Sequence, residues 1–129
     1  MSRNQDFSVV KTEKIKIPTL PFPDIKKAIL GKKYILSLVF GTDQLLRKLN
    51  YSYRREKYTA NVLSFSLSPN EGEIFISPRQ AGKDSGRFGE TQSEFLLHLF
   101  IHGLLHLKGY RHGSKMDKQE RKFRRKFHI

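Results

Sequence analysis

The sequence predicts an α+β fold: a small mixed β-sheet of about four strands, packed with helices around one central buried helix that carries the histidine pair His102 and His106. Three observations point there. Short apolar runs of strand length, Tyr34–Phe40, Asn61–Leu67 and Glu73–Ser77, alternate with segments of helical spacing. The stretch from Thr91 to Leu107 is apolar on nearly every side, as a helix enclosed by its neighbours is. The length of 129 residues and a hydrophobic content of 37% suit one domain over residues 1–129.

Taken in order, residues 7–17 alternate imperfectly between apolar side chains and lysines, which suggests a strand or hairpin near a sheet edge. Pro18, Pro21 and Pro23 then disfavour further sheet. Asp24–Leu30 reads as a short helix stopped by Gly31. Thr42 can cap a helix from Asp43 to Leu49, with Leu45, Leu46 and Leu49 on one face. A basic loop, residues 52–57, leads to the strand candidate Asn61–Leu67. A turn at Pro69–Gly72 follows, then the strand candidate Glu73–Ser77. Pro78–Gly89 holds three glycines and reads as loop with at most one helical turn. Thr91 and Glu94 have capping-box spacing, and Gly109 is placed to stop the helix they open. Ser114 is the expected cap of a last helix, Lys115 to Phe127, within a basic C-terminal segment 114–129.

There is no cysteine, so disulfide partners, thiolate metal sites and a cysteine nucleophile are excluded. No apolar run approaches the roughly 20 residues of a spanning helix, and the N-terminus lacks a signal-peptide core. A cytoplasmic protein without a membrane is the expectation. The net charge of +13 makes a polyanion the expected partner, nucleic acid or an anionic surface.

The most informative feature is His102-Gly-Leu-Leu-His106-Leu-Lys-Gly109-Tyr-Arg-His112. Histidines four apart share a helix face, their β-carbons about 5–6 Å apart, so His102 and His106 can grip one ion. His98 extends the same ridge, but eight helical residues rise about 12 Å, too far for three rings to converge. A third ligand must come from chain that turns back. Gly109 permits the turn, and His112 follows it. Three neutral nitrogens leave an open position, as catalytic rather than structural zinc sites do. His98 is expected to pack or support a ligand, and His128 to be incidental.

The spacing matches the metzincin protease pattern at its histidines and glycine, but the position of that pattern's general-base glutamate is Gly103. A peptidase is therefore disfavoured, and metal-assisted hydrolysis of another kind survives. Residues 102–112 closely resemble the His-Gly-x-Leu-His-Leu-x-Gly-Tyr-Asp-His signature of the YbeY family, bacterial endoribonucleases of ribosomal-RNA maturation and ribosome quality control. Leu49–Arg54, Asn61–Phe65 and Gly72–Ile76 resemble further family elements in the right order, and Met116 and Glu120 fit its closing helix. The resemblance covers residues 42–120. Three positions depart from it: Arg111 replaces an aspartate, Ala60 a threonine (Thr59 lies one place earlier), and Glu73 an aspartate.

The resemblance implies a zinc ion held by His102, His106 and His112, with Arg54 as the functional arginine beside it. It implies a single-strand-specific endoribonuclease acting at the 3′ end of 16S rRNA, with the small ribosomal subunit as partner. By composition alone Arg54 is equally a solvated loop charge. The nucleophile can be water or RNA's own 2′-hydroxyl. The alternative is a non-catalytic RNA- or ribosome-binding module whose zinc only fixes the fold. RNA contacts are expected from the aromatic-rich stretch with Tyr51, Tyr53, Arg55, Lys57 and Tyr58, and from Arg121, Arg124 and Arg125. The latter three lie in a tail, residues 111–129, that holds eight Lys and Arg against two acids.

Overall fold

A computed structural model describes residues 6–12, 14–55 and 60–129. Four strands form one sheet: β1 (Phe7–Lys11), β2 (Ile35–Phe40), β3 (Val62–Ser68) and β4 (Glu71–Ile76), in the spatial order β1-β2-β4-β3. β1 and β4 both run parallel to β2, while β3 and β4 form an antiparallel hairpin with a register shift between Ser66 and Ser68. The sheet is mixed, as expected. The helices are α1 (Phe22–Leu30), α2 (Asp43–Arg54), α3 (Pro78–Ser85), α4 (Gln92–Lys108) and α5 (Ser114–Lys126), with a 3₁₀ turn at Gly86–Phe88.

The period-two pleat sorts the sheet residues. Leu36, Leu38 and Phe40 lie opposite Gly72, Ile74 and Ile76 in register, so they share one face. That face packs on α4, which also touches α1, α3 and α5. Phe100, Ile101, Leu104 and Leu105 of α4 are sealed from solvent, so the helix is the centre of the main core. Gly103 lets the helix approach β4 closely: a β-carbon there would lie 3.1 Å from Cδ1 of Ile74. On the opposite face Leu46 of α2 and Leu63 of β3 form a second, smaller cluster with Leu49, Phe65 and Phe75.

Several boundaries differ from the sequence expectation, each for a local reason. The first strand ends at Lys11, and the rest of the predicted stretch, where described, carries no regular structure. α1 begins at Phe22, because Pro23 occupies the first turn, where a missing N–H costs nothing. α2 continues to Arg54 through the buried Asn50, so Arg54 ends a helix instead of riding a loop. Residues 78–85 are helical where a loop was expected. Pro78 again sits in the first turn, Ser77 caps it by accepting from the Gln80 N–H, and Ala81 is buried. Ser114 is the first residue of α5, not its cap; Gly113 precedes it with no side-chain cap. The Thr91–Glu94 capping box is formed in both directions.

Candidate metal centre

His102 and His106 project from the last two turns of α4. Gly109 ends that helix at φ 111°, a left-handed conformation that glycine reaches without a Cβ penalty. The chain then doubles back and delivers His112. One nitrogen from each of the three rings lies within 4.8 Å of the other two. Nε2 of His102 and Nε2 of His106 are 3.0 Å apart.

The outer nitrogens decide the tautomers. His106 Nδ1 lies 3.0 Å from the Tyr110 carbonyl oxygen, and His102 Nδ1 lies 2.8 Å from Glu120 Oε1. A carbonyl and an ionised carboxylate only accept, so both Nδ1 atoms are assigned the proton. Both Nε2 lone pairs then face each other, and such a pair repels unless a cation lies between. Ligands at the usual zinc–nitrogen distance and a tetrahedral angle would be about 3.3 Å apart. The residues present therefore fit a small divalent ion.

The electrostatics agree. Burial holds the His106 pKa below the ordinary histidine value, and His102 and His112 push it the same way against the Tyr110 carbonyl and Glu120. That favours the neutral ring a metal requires. For Glu120, burial would raise the pKa, but side-chain hydrogen bonds from His102 and His98 outweigh it and lower the value to about 2. His98 is no ligand: its ring nitrogens face Glu90 Oε1 at 3.1 Å and Glu120 Oε2 at 3.2 Å.

The three histidines line a cleft of about 420 Å³, with Arg54, Ser64 and Ser66 on its other wall. Arg54 thus arrives from α2 and the two serines from the outer strand β3. Arg55, just past α2, holds its guanidinium 5.7 Å from the centre of the Tyr51 ring. Lys57, Tyr58 and Thr59 lie outside the described residues. Arg121 and Arg125 are exposed on α5. Arg124 instead donates to Glu90 Oε1 at 3.1 Å and is only 28% exposed. Arg111 is exposed beside His112.

A model of the family described as Endoribonuclease YbeY matches residues 5–128. The chain belongs to the YbeY family. The match extends back to residue 5, well beyond the stretch 42–120 on which the resemblance rests. Among curated proteins named Endoribonuclease YbeY, that of Phytoplasma mali is 37% identical over 83 residues, 62% of this chain and 56% of its own length. That of Mycoplasmopsis synoviae is 33% identical over 104 residues, 73% and 67% respectively. That of Anaplasma phagocytophilum is 41% identical over 91 residues, 67% and 59%. The chain thus spans little more than half the length of several YbeY relatives that it matches. The solution structure of TM1509 from Thermotoga maritima superposes with a TM-score of 0.62 at 22% identity, covering 91% of this chain and 85% of that one, and so shares its fold.

Two contributors had no assigned role in the sequence reading. Glu120 stood out only as a position fitting the family's closing helix, and nothing in its spacing links it to His102, 18 residues away. The Tyr110 carbonyl is a backbone group, invisible to any residue pattern.

Proposed function

We propose that the protein is a metal-dependent, single-strand-specific endoribonuclease acting in ribosomal-RNA maturation and ribosome quality control in the cytoplasm, with zinc held by His102, His106 and His112. The observation that carries this reading is the convergence of three imidazoles, His102 oriented by Glu120 and His106 by the Tyr110 carbonyl, on a cleft that also presents Arg54. Membership of the YbeY family supplies the substrate class. No helix among the described residues is long and apolar enough to cross a membrane.

A zinc ion held by His102, His106 and His112 would supply Lewis-acid chemistry at a phosphoryl oxygen or an attacking oxygen. Arg54 keeps its charge at any working pH, and its planar fork suits two phosphoryl oxygens across the cleft. Ser64 and Ser66 offer hydroxyls to the same strand of RNA. The neutral His106 ring stays available as a ligand because burial opposes its protonation. With Gly103 packed on the sheet, α4 carries no carboxylate at the metzincin general-base position.

Arg55, Lys57, Arg121 and Arg125 are proposed to bind the RNA backbone beyond the cleft, and the small ribosomal subunit is the proposed partner. Arg124, engaged by Glu90, is reserved for the fold. Single-stranded ribosomal-RNA fragments incubated with purified protein, with and without chelator, test the reading. Cleavage should cease on chelation and in His106→Ala, and return when zinc is added back to wild type. Undiminished cleavage by metal-free protein would make the ion structural; RNA binding without cleavage under all conditions would favour a binding module.

A further inference from the structure

His102 is the near end of a chain of ionisable side chains running from the cleft along the seam between α4 and α5. His102 Nδ1 meets Glu120 Oε1 at 2.8 Å, and the carboxylate's other oxygen meets His98 Nε2 at 3.2 Å. The opposite nitrogen of His98 meets Glu90 Oε1 at 3.1 Å, and the same oxygen accepts from Arg124 at 3.1 Å. The two carboxylates are only 13% and 10% exposed. Buried carboxylates are costly unless each is tied to hydrogen-bond donors, and these two are tied to one another through His98. The chain joins three separate stretches: α4, α5 and the residue just before the α4 cap.

We propose that Glu120 is a positioning residue that fixes the ring orientation and tautomer of His102 for metal binding, and that His98, Glu90 and Arg124 brace Glu120 from behind. The inference rests on the three-histidine metal reading. The geometry is direct: an acceptor 2.8 Å from Nδ1 holds the proton on that nitrogen and turns the Nε2 lone pair into the cleft. α5 thereby becomes an arm of the metal site, although none of its residues ligates.

The test is histidine ¹⁵N NMR on metal-free protein, together with zinc affinity measured by competition against a chromophoric chelator. In wild type His102 should be the Nδ1–H tautomer. Glu120→Ala should mix its tautomers and weaken zinc binding by about 10–100-fold. Glu120→Gln, which keeps an acceptor oxygen, should recover part of that loss, a rescue that bulk packing alone would not require. Arg124→Met reads the brace from its far end and should weaken binding several-fold, which covers the case in which Glu120→Ala is too unstable to measure. Unchanged tautomers and affinity in the Glu120 variants overturn the positioning role, and unchanged affinity in Arg124→Met overturns the brace. Wild-type protein that takes up no zinc overturns the metal reading as well, so the two failures are distinguishable.

Discussion

Gly103→Ala isolates the contact on which the position of the histidine helix depends. A β-carbon at 103 would stand 3.1 Å from Ile74 Cδ1 and 3.3 Å from its Cγ1 and Cγ2, tighter than ordinary van der Waals contact. Ile74 is fully buried in a central strand, so it has little room to yield. Alanine gains about 1 kcal/mol over glycine within a helix, whereas overpacking a filled core costs about 1–3 kcal/mol. The balance is a destabilisation of about 0–2 kcal/mol, the opposite sign to the same change on an exposed helix. Ile74→Val removes Cδ1, the closest atom, and alone costs about 0.5–1.5 kcal/mol. Urea unfolding of wild type, both single variants and the double variant closes the cycle. The double variant should be more stable than additivity predicts, by about 0.5–1 kcal/mol. A Gly103→Ala protein stabilised by the full helical gain, with no coupling to position 74, would refute the reasoning. Glutamate at 103 would begin with the same β-carbon, so the contact also opposes placing a metzincin base there.

Other outcomes follow from the same geometry. Arg54→Ala should lower RNA cleavage by about 10²–10³-fold, as loss of a charge-stabilising donor does, and Arg54→Lys should restore only part of it; single-turnover assays at saturating RNA read this directly. Thr91→Ala removes the cap of α4 and should cost about 1 kcal/mol in urea unfolding. Hydrogen bonds from the Thr91 backbone and side chain hold Glu94 below the usual carboxylate pKa. Its contribution is therefore present above the ordinary value of 4.5 and is lost as pH falls through the lower folded one. Glu94→Gln should flatten the stability profile in that acid range, while an unchanged slope would argue against the box. The double change Arg121→Ala with Arg125→Ala should flatten the log–log salt dependence of RNA affinity by about 1.4. Arg124→Ala should instead leave that slope little changed, since its Nη2 donates to the buried Glu90.

How much was legible in the chain varies by element in a physically consistent way. The Thr91–Glu94 box, the apolar periodicity of α4 and the stop at Gly109 are local devices, each written within a few consecutive residues, and all three form as read. Pro23 and Pro78 misled because proline punctuates a sequence in the same way whether it breaks an element or starts one. Arg54 ends a helix where a loop was expected because the last turns of α2 are anchored by a buried polar residue, Asn50, and by Tyr53 packed on Phe65 at 5.1 Å, contacts that no apolar pattern announces.

The sequence by itself determined the histidine triad, since His102 and His106 lie one turn apart on a helix and the glycine that turns His112 back is three residues from His106 and from His112. It also determined the absence of a glutamate at position 103 and the excess of positive charge. Only the tertiary structure decided what stands around those histidines. Arg54 reaches the cleft from α2, Glu120 reaches His102 from α5, and Arg124 turns inward to Glu90 while Arg121 and Arg125 remain exposed. The reason lies in range: helix periodicity and a glycine turn operate over a few residues, so they can be read in order along the chain. Where α2, α4 and α5 come to lie depends on how separate elements pack on the sheet, and no spacing along the chain encodes that.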